Sequence, residues 1–360
     1  IQLLLYCQTL SLTKGMPVSN VQNIAVLFGG QSTEHEVSIL SARNVIANLD
    51  PEKYHLSVIY ISRHGRWYLL DNKEDLQRSE PLTLLEQGSC KELVLRPGEA
   101  EHPFALLEDP KQVLDVDCVF PVLHGTLGED GTMQGLLDIL NVPYVGAGVL
   151  SSSVCMQKHI AKRLLRFADL PTADWVTVNH YESEQCEYTA IADRLGAEIF
   201  IKPAGLGSSV GIAKVRNKAE FNLAIETAFL YSDQIIMERS IPGREIECSV
   251  LGNEDPVASI PGEIVTNYDF YTYEAKYLDP NGAKTISPAE LPKTVVEKIQ
   301  ELAVKAYKVL QCSGMARIDF FVTPEDDVVI NEVNTIPGFT NISMYPMNWQ
   351  ASGITYIELL

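Results

Sequence analysis

The turn at Gly29-Gly30 constrains this chain more than any other short segment. Residues 23–28 (NIAVLF) form an apolar run of strand length, and the two glycines end it abruptly. Thr33, Glu34, His35 and Glu36 follow. Their [ST]-x-x-E spacing predicts a capping box, with Thr33 as cap and Glu36 reaching back to it. Val37, Leu40, Ser41, Asn44 and Val45 then recur at helical spacing. A second strand is expected over residues 55–61. A third, over residues 117–123, runs into HGTLGEDG at 124–131, with a helix beyond it over residues 133–140. Strand, glycine turn and helix in alternation predict an open parallel α/β sheet whose ligands gather at the carboxyl ends of its strands. Residues 21–148 are read as one such domain.

From residue 151 the texture changes. A basic helix carrying Lys158, Lys162, Arg163 and Arg166 leads into strands over residues 174–178, 198–204, 211–216, 234–238 and 246–252. A hairpin is expected from residues 314–322 and 328–334. Runs of strands with interspersed helices predict α+β subdomains after the α/β one. No internal repeat or low-complexity segment is present.

Composition narrows the partners. A chain of 360 residues is long enough for two or three domains and needs no disulfide or metal to hold its core. The net charge of −19 disfavours nucleic acid or an anionic membrane as main partner, since either requires a concentrated basic face. Any anionic ligand must be held by a few locally placed cations. No apolar run approaches the ~20 residues of a membrane-spanning helix. The seven cysteines are scattered without a CxxC pair, which fits buried thiols in a reducing cytoplasm. Residues 1–20 lack strand or helix logic, and Met16 is read as a natural start after a non-native or disordered extension. The apolar segment over residues 354–360 reads as a helix cut short.

Three segments carry chemistry. KPAGLGSSVG at residues 202–211 is neither a P-loop nor a dinucleotide fingerprint, because a strand rather than a helix follows it. A glycine–serine hairpin of this kind can fold over a triphosphate, with Lys202 supplying charge. In the C-terminal hairpin, alternation places Val328, Ile330, Glu332 and Asn334 on one face, while Arg317 and Asp319 share a face on the partner strand. An acid that continues an apolar face is costly unless paired or bound to metal. Asp319, Glu332 and Asn334 together offer the hard oxygen ligands that Mg²⁺ takes. The third segment, residues 266–291 with Tyr268, Tyr271, Tyr273, Lys276 and Tyr277, has no clear period and reads as a lid loop.

Taken together, VLFGGQSTEHEVS (26–38), the 124–135 loop, the 202–211 loop, EAKY (274–277), GMARID (314–319) and NEVNTIPGFTNIS (331–343) resemble the D-alanine–D-alanine ligases of the ATP-grasp superfamily, in the longer form of that family. The resemblance runs from residue 23 to the end. It implies a Rossmann-like N-terminal domain (21–148) followed by a small ATP-grasp subdomain (149–241) and a large one (242–360) that carries the lid. The implied reaction joins two D-alanine molecules through a D-alanyl phosphate at the expense of ATP, for cell-wall peptidoglycan, in the cytoplasm and within a homodimer.

Roles follow residue by residue from the same resemblance. Lys158 and Lys202 match ATP-phosphate lysines, and Ser208 and Ser209 lie in the loop over the nucleotide. Glu238, Arg239, Ile241 and Glu245 match adenine and ribose contacts. Asp319, Glu332 and Asn334 match the ligands of two Mg²⁺ or Mn²⁺ ions. Arg317 and the backbone of Gly338 match the oxyanion donors. Glu36 matches the anchor of the first D-alanine's ammonium, with Ser208 and Tyr277 as its partners and His124 nearby. Lys276 would reach the transferred phosphate, and Ser343 and Met344 the second D-alanine. Gln157 stands where the family usually carries Asp, and the Lys276-Tyr277 pair favours a D-alanyl-D-alanine product over D-alanyl-D-lactate.

Overall fold

The computed structural model describes residues 21–208, 210–266 and 282–360, and among these the strands form three sheets. The first holds β1 (Gln22–Gly29), β2 (Tyr54–Ile61), β3 (Trp67–Leu70), β4 (Cys90–Leu95), β5 (Phe104–Leu106), β6 (Val113–Leu114) and β7 (Cys118–Val122), in the order β6-β5-β4-β3-β2-β1-β7. Its centre is the apolar run that opened the sequence. Ile24, Val26 and Phe28 enter one core and Ala25 and Leu27 the other, so β1 is covered on both faces, as a central parallel strand requires.

Only β2, β1 and β7 are parallel; from β2 outward to β6 the strands pair antiparallel. The expectation of a parallel sheet thus holds for its functional half alone. A parallel return needs a crossover of about a dozen residues or more, which the helix His35–Asn48 supplies between β1 and β2. Residues 62–66 are too few for that, so β3 folds straight back as a hairpin.

The capping box at the head of that helix does not form. The helix starts at His35 with Glu34 as its cap residue, and no side chain caps it. Ser32 Oγ instead accepts from the Glu34 amide (3.0 Å) and donates to the His124 carbonyl (2.6 Å), which fastens the turn to the end of β7. The buried face also differs from the predicted one. Leu40 is exposed, whereas Ile39, Ala42, Val45 and Ile46 form the buried stripe, with Ser38 and Ser41 buried beside it and Ser38 Oγ bonded to the Gly29 amide and the Val122 carbonyl.

The second sheet is antiparallel and has the order β10-β9-β11-β8, from β8 (Trp175–Asn179), β9 (Ile199–Pro203), β10 (Ala213–Val215) and β11 (Gln234–Arg239). Its core packs Phe221, Ala224 and Ala228 of the helix Lys218–Phe229 against Ile199, Ile201 and Met237. The third sheet comprises β12 (Arg244–Leu251), β13 (Val257–Ala258), β14 (Gly262–Thr266), β15 (Ala283–Ile286), β16 (Met315–Val322) and β17 (Val328–Asn334). It runs β15-β14-β12-β16-β17, and the helix Lys293–Val309 covers its apolar face. Cys118, Cys155, Cys248 and Cys312 lie in cores, while Cys90 and Cys186 are only half-buried. No helix among the described residues is long and apolar enough to cross a membrane.

The β16–β17 hairpin corrects the strand alternation read from sequence. Val322 faces Val328 and Phe320 faces Ile330, but Asp319 faces Glu332, so β17 spends one extra residue between these pairs. Such a bulge reverses which side the following residues point to. Val328 and Ile330 therefore remain in the core, whereas Glu332 and Asn334 turn to the opposite face beside Asp319 and Arg317. The acid does not continue an apolar face; the bulge delivers it to a polar one.

Phe339 pegs the third sheet's C-terminal extension to the first sheet. It is fully buried and meets Phe120 edge-on at 5.8 Å, with Tyr345 and Tyr356 close by. Removing an aromatic ring buried in this way typically costs about 3–5 kcal/mol. Its placement fixes the backbone segment just before it, which carries Gly338.

Candidate active site

A cleft of about 700 Å³ separates the second sheet from the third. Lys202 on β9, Glu238 and Arg239 on β11, Ile241 and Glu245 line it on one side and along its base, and Asp319 and Glu332 face them from the third sheet. The volume lies within the range of small-molecule pockets, and the lining mixes a few charges with apolar walls such as Phe200, Ile212 and Phe320.

Charges in this cleft are arranged rather than scattered. Glu238 is 3% exposed and holds two ammonium groups: Lys162 Nζ at 2.9 Å from Oε1 and Lys202 Nζ at 2.5 Å from Oε2. Burial works against ionising Glu238, but the two lysines overcome it and hold its carboxyl down to about 2. Lys158, at the start of the helix Lys158–Phe167, is fastened to the glycine loop. Its amide donates to the Ala204 carbonyl (3.0 Å) and its Nζ to the Leu206 carbonyl (2.7 Å), with Glu332 Oε2 at 3.5 Å. The neighbouring Gln157 makes no side-chain cap to that helix.

Opposite the lysines, register aligns Glu247, Asp319 and Glu332 across the adjacent strands β12, β16 and β17. Arg317 lies among them. Its Nε and Nη2 donate to the two oxygens of Asp319 at 2.7 and 2.8 Å, and Glu247 Oε2 is 2.9 Å from Nε. Asn334 Nδ2 donates to Asp319 at 3.0 Å, a bond that does not use its amide oxygen. Among the described residues no three His, Cys, Asp or Glu side chains converge to hold a metal by themselves. The donor set nevertheless suits Mg²⁺, which is typically bound by one or two carboxylates and completed by phosphate oxygens.

A second group lies at the carboxyl edge of the first sheet. His124, 5% exposed, makes a 3.0 Å bond from Nδ1 to the Ile336 carbonyl, and its Nε2 is 3.0 Å from Ser41 Oγ. A carbonyl can only accept, so Nδ1 carries the proton and Nε2 accepts from Ser41. Ser41 Oγ is then free to accept the Phe339 amide at 3.2 Å. Burial pushes His124 below its ordinary pKa, in keeping with a neutral ring. Glu129 completes the fastening, accepting the Gly125 amide (2.7 Å) and the Ile336 amide (3.1 Å). The segment on either side of Gly338 is thereby hydrogen-bonded to the N-terminal domain.

Glu34 stands where these two groups meet. It is 8% exposed, and a Cβ added to Gly125 would come within 2.5 Å of its Oε2, one added to Gly207 within 3.2 Å. Its carboxylate therefore reaches from the first sheet to the glycine loop, next to Ser208. Glu36, two residues on, turns outward: its side chain is 65% exposed and pairs with Arg63 at 2.6 Å. The assignment of Glu36 to the site is corrected accordingly, because a helical step of two residues swings a side chain to the far face.

The other expected residues divide plainly. Ser343 Oγ accepts the Thr340 amide (2.9 Å), and a Cβ on Gly338 would lie 2.7 Å from it, so Gly338 and Ser343 are neighbours. Met344 is buried at the start of the helix Met344–Ala351. Arg239 lines the cleft but also lies 3.5 Å from Asp174 and is half exposed. Ser209, Lys276, Tyr277 and most of the expected lid fall outside the described residues. Sequence reasoning missed Glu34, Glu129, Lys162 and Glu247. Two signals were available: an acid immediately after the glycine turn, and the alternation of Glu245 with Glu247 along one strand.

Comparison with known proteins agrees with this architecture. The family described as D-ala D-ala ligase N-terminus matches residues 23–147, and D-ala D-ala ligase C-terminus matches residues 164–360. A D-alanine--D-alanine ligase of Coxiella burnetii is 50% identical over 339 residues, covering 94% of this chain and 91% of the relative. The solved D-alanine-D-alanine ligase from Coxiella burnetii superposes with a TM-score of 0.86 at 45% identity, over 94% of this chain and 92% of that one. The VanG D-Ala:D-Ser ligase from Enterococcus faecalis superposes at 0.85 with 38% identity, over 94% and 97% respectively. With both halves matched in order around one cleft, the chain belongs to the D-alanine–D-alanine ligase family, enzymes of the ATP-grasp fold.

Proposed function

We propose that this enzyme joins two D-alanine molecules into D-alanyl-D-alanine with hydrolysis of ATP to ADP and phosphate, as a step toward peptidoglycan. The observation that carries this reading is the opposition, across one cleft, of Lys202 to the aligned acids Glu247, Asp319 and Glu332, with Lys158 3.5 Å from Glu332. A nucleotide triphosphate fits such a place. Its phosphates take the lysines, and its adenine and ribose take Glu238, Arg239, Ile241 and Glu245. Asp319, Glu332 and Asn334 would hold two Mg²⁺ or Mn²⁺ ions, which supply charge neutralisation to the phosphates.

A carboxylate is a poor electrophile, so the first D-alanine is activated before it is joined. Its carboxylate oxygen attacks the terminal phosphorus, ADP leaves, and a D-alanyl phosphate remains. The amine of the second D-alanine attacks the acyl carbon and loses a proton, and phosphate departs. Arg317 and the Gly338 amide would stabilise the tetrahedral oxyanion, a role worth several kcal/mol in enzymes generally. Glu34, rather than Glu36, would anchor the first ammonium, with Ser208, Tyr277 and His124 around that substrate and Lys276 on the transferred phosphate. Ser343 and Met344 would receive the second D-alanine. Cytoplasmic location and a homodimer belong to the same proposal, and rest on the family resemblance alone.

The test is product analysis with purified protein. With D-alanine, ATP and Mg²⁺, ADP should appear in equal amount with D-alanyl-D-alanine, and omission of any one of the three should stop it. ADP release without D-alanine would overturn the reading. Preferential formation of a mixed product when D-serine or D-lactate is added would reassign the second substrate.

A further inference from the structure

Lys162 sits one turn beyond Lys158 on the same helix, and nothing in the reaction above uses it. It is 2% exposed. Its ammonium is 2.9 Å from Glu238 Oε1, and it finds no other acceptor among the described residues. Lys202 holds the other oxygen of the same carboxylate. One buried anion is therefore shared by two buried cations, which is more positive charge than Glu238 itself requires.

The excess has a use once Lys202 is drawn to an incoming phosphate. A carboxylate buried as deeply as Glu238 is heavily penalised when left without a counter-charge. If Lys202 were its only partner, each phosphate contact would be made at the expense of stranding Glu238. We propose that Lys162 is a positioning residue: a resident counter-charge for Glu238 that frees Lys202 to engage the phosphates of the nucleotide. The inference rests on reading the cleft as a nucleotide site. Burial depresses the Lys162 ammonium, with Glu238 opposing that, and Lys202 and Arg166 add to the depression. Arg166 is itself occupied by Asp174 at 3.1 Å, so Glu238 remains the anion that Lys162 serves.

The experiment compares ligands with and without phosphates. ATP and adenosine binding are measured by calorimetry on the wild-type enzyme and on Lys162→Met, alongside kcat and the KM for ATP. The Met variant should bind ATP about tenfold or more weakly, while adenosine affinity should fall by much less, since adenosine, though it contacts Glu238, leaves Lys202 paired with that carboxylate. KM for ATP should rise far more than kcat falls. Lys162→Arg, which restores the charge, should recover ATP binding. If Lys162→Met does not fold, Lys162→Gln, which keeps a donor without the charge, makes the same comparison. Equal loss of ATP and adenosine binding would mean that Lys162 only shapes the cleft, and no loss of either would mean that Glu238 needs no second cation. Both results overturn the inference while the nucleotide reading stands. Failure of the wild-type enzyme to bind ATP would remove that reading and the inference together.

Discussion

The two halves of the site solve the problem of buried polarity in opposite ways. At the edge of the first sheet, His124 is neutral and each of its nitrogens has a neutral partner; order there comes from hydrogen bonds through Ser41, Ile336 and Phe339. In the cleft between the other sheets, Lys162, Lys202, Glu238, Arg317 and Asp319 are close ion pairs. The first arrangement suits a small zwitterion that must be oriented. The second suits a polyanion, and it explains how a chain of net charge −19 can hold one with a handful of buried cations.

Arg317 is where breaking the contrast should have the largest effect. Its guanidinium lies between Glu247 and Asp319, so Arg317→Ala should lower dipeptide synthesis by about 10²–10³-fold, as loss of an oxyanion donor does. Nucleotide binding, which we assign to the lysines, should survive in that variant. Near-normal turnover in steady-state assays would dismiss the oxyanion role.

A smaller effect is expected at the junction. Glu34→Gln should raise the KM for D-alanine by about tenfold or more, because a charge-assisted bond to an ammonium is worth roughly 1.5–3 kcal/mol. Glu36→Gln alters an exposed ion pair of the kind that contributes about 1 kcal/mol or less. If the two substitutions affect D-alanine binding equally, the assignment of the anchor to Glu34 is wrong.

A separate effect falls on stability, and it distinguishes the two regions by pH. Burial and then the nearby Glu34 raise Glu129 to about 8, against the bonds from Gly125 and Ile336. A carboxyl raised in the folded state stabilises fully below its unfolded value near 4.5, and that contribution is lost as pH rises toward 8. Glu238 behaves in reverse, its contribution being present above about 4.5 and lost as pH falls toward 2. Urea titrations at several pH values should therefore show wild-type stability declining between about pH 5 and 8, by up to a few kcal/mol. Glu129→Gln should flatten that decline. An unchanged slope would mean that Glu129 is not held in this way.

Much of the fold was legible because it is written locally. The apolar run before Gly29, the basic helix and the C-terminal hairpin each fall where expected, since period and turn chemistry are properties of neighbouring residues. The failures share a cause. Thr33 matched a capping pattern but made no cap, because Ser32 held the turn to β7 instead. Leu40 matched the expected helical stripe but lies outside, because the helix packs with Ile39, Ala42, Val45 and Ile46 inward against β1 and β7.

What the sequence determined by itself is therefore the set of elements and, through the ordered motifs, the family to which they belong. Which carboxylate faces inward was decided only by the tertiary structure. Glu34 and Glu36 are two residues apart and chemically alike, yet one reaches the glycine loop and the other meets Arg63 in solvent. Glu332 likewise reaches Asp319 only because a bulge adds one residue to β17. Helical phase and strand register are set by contacts with segments far away in the chain, and local spacing by itself left both open.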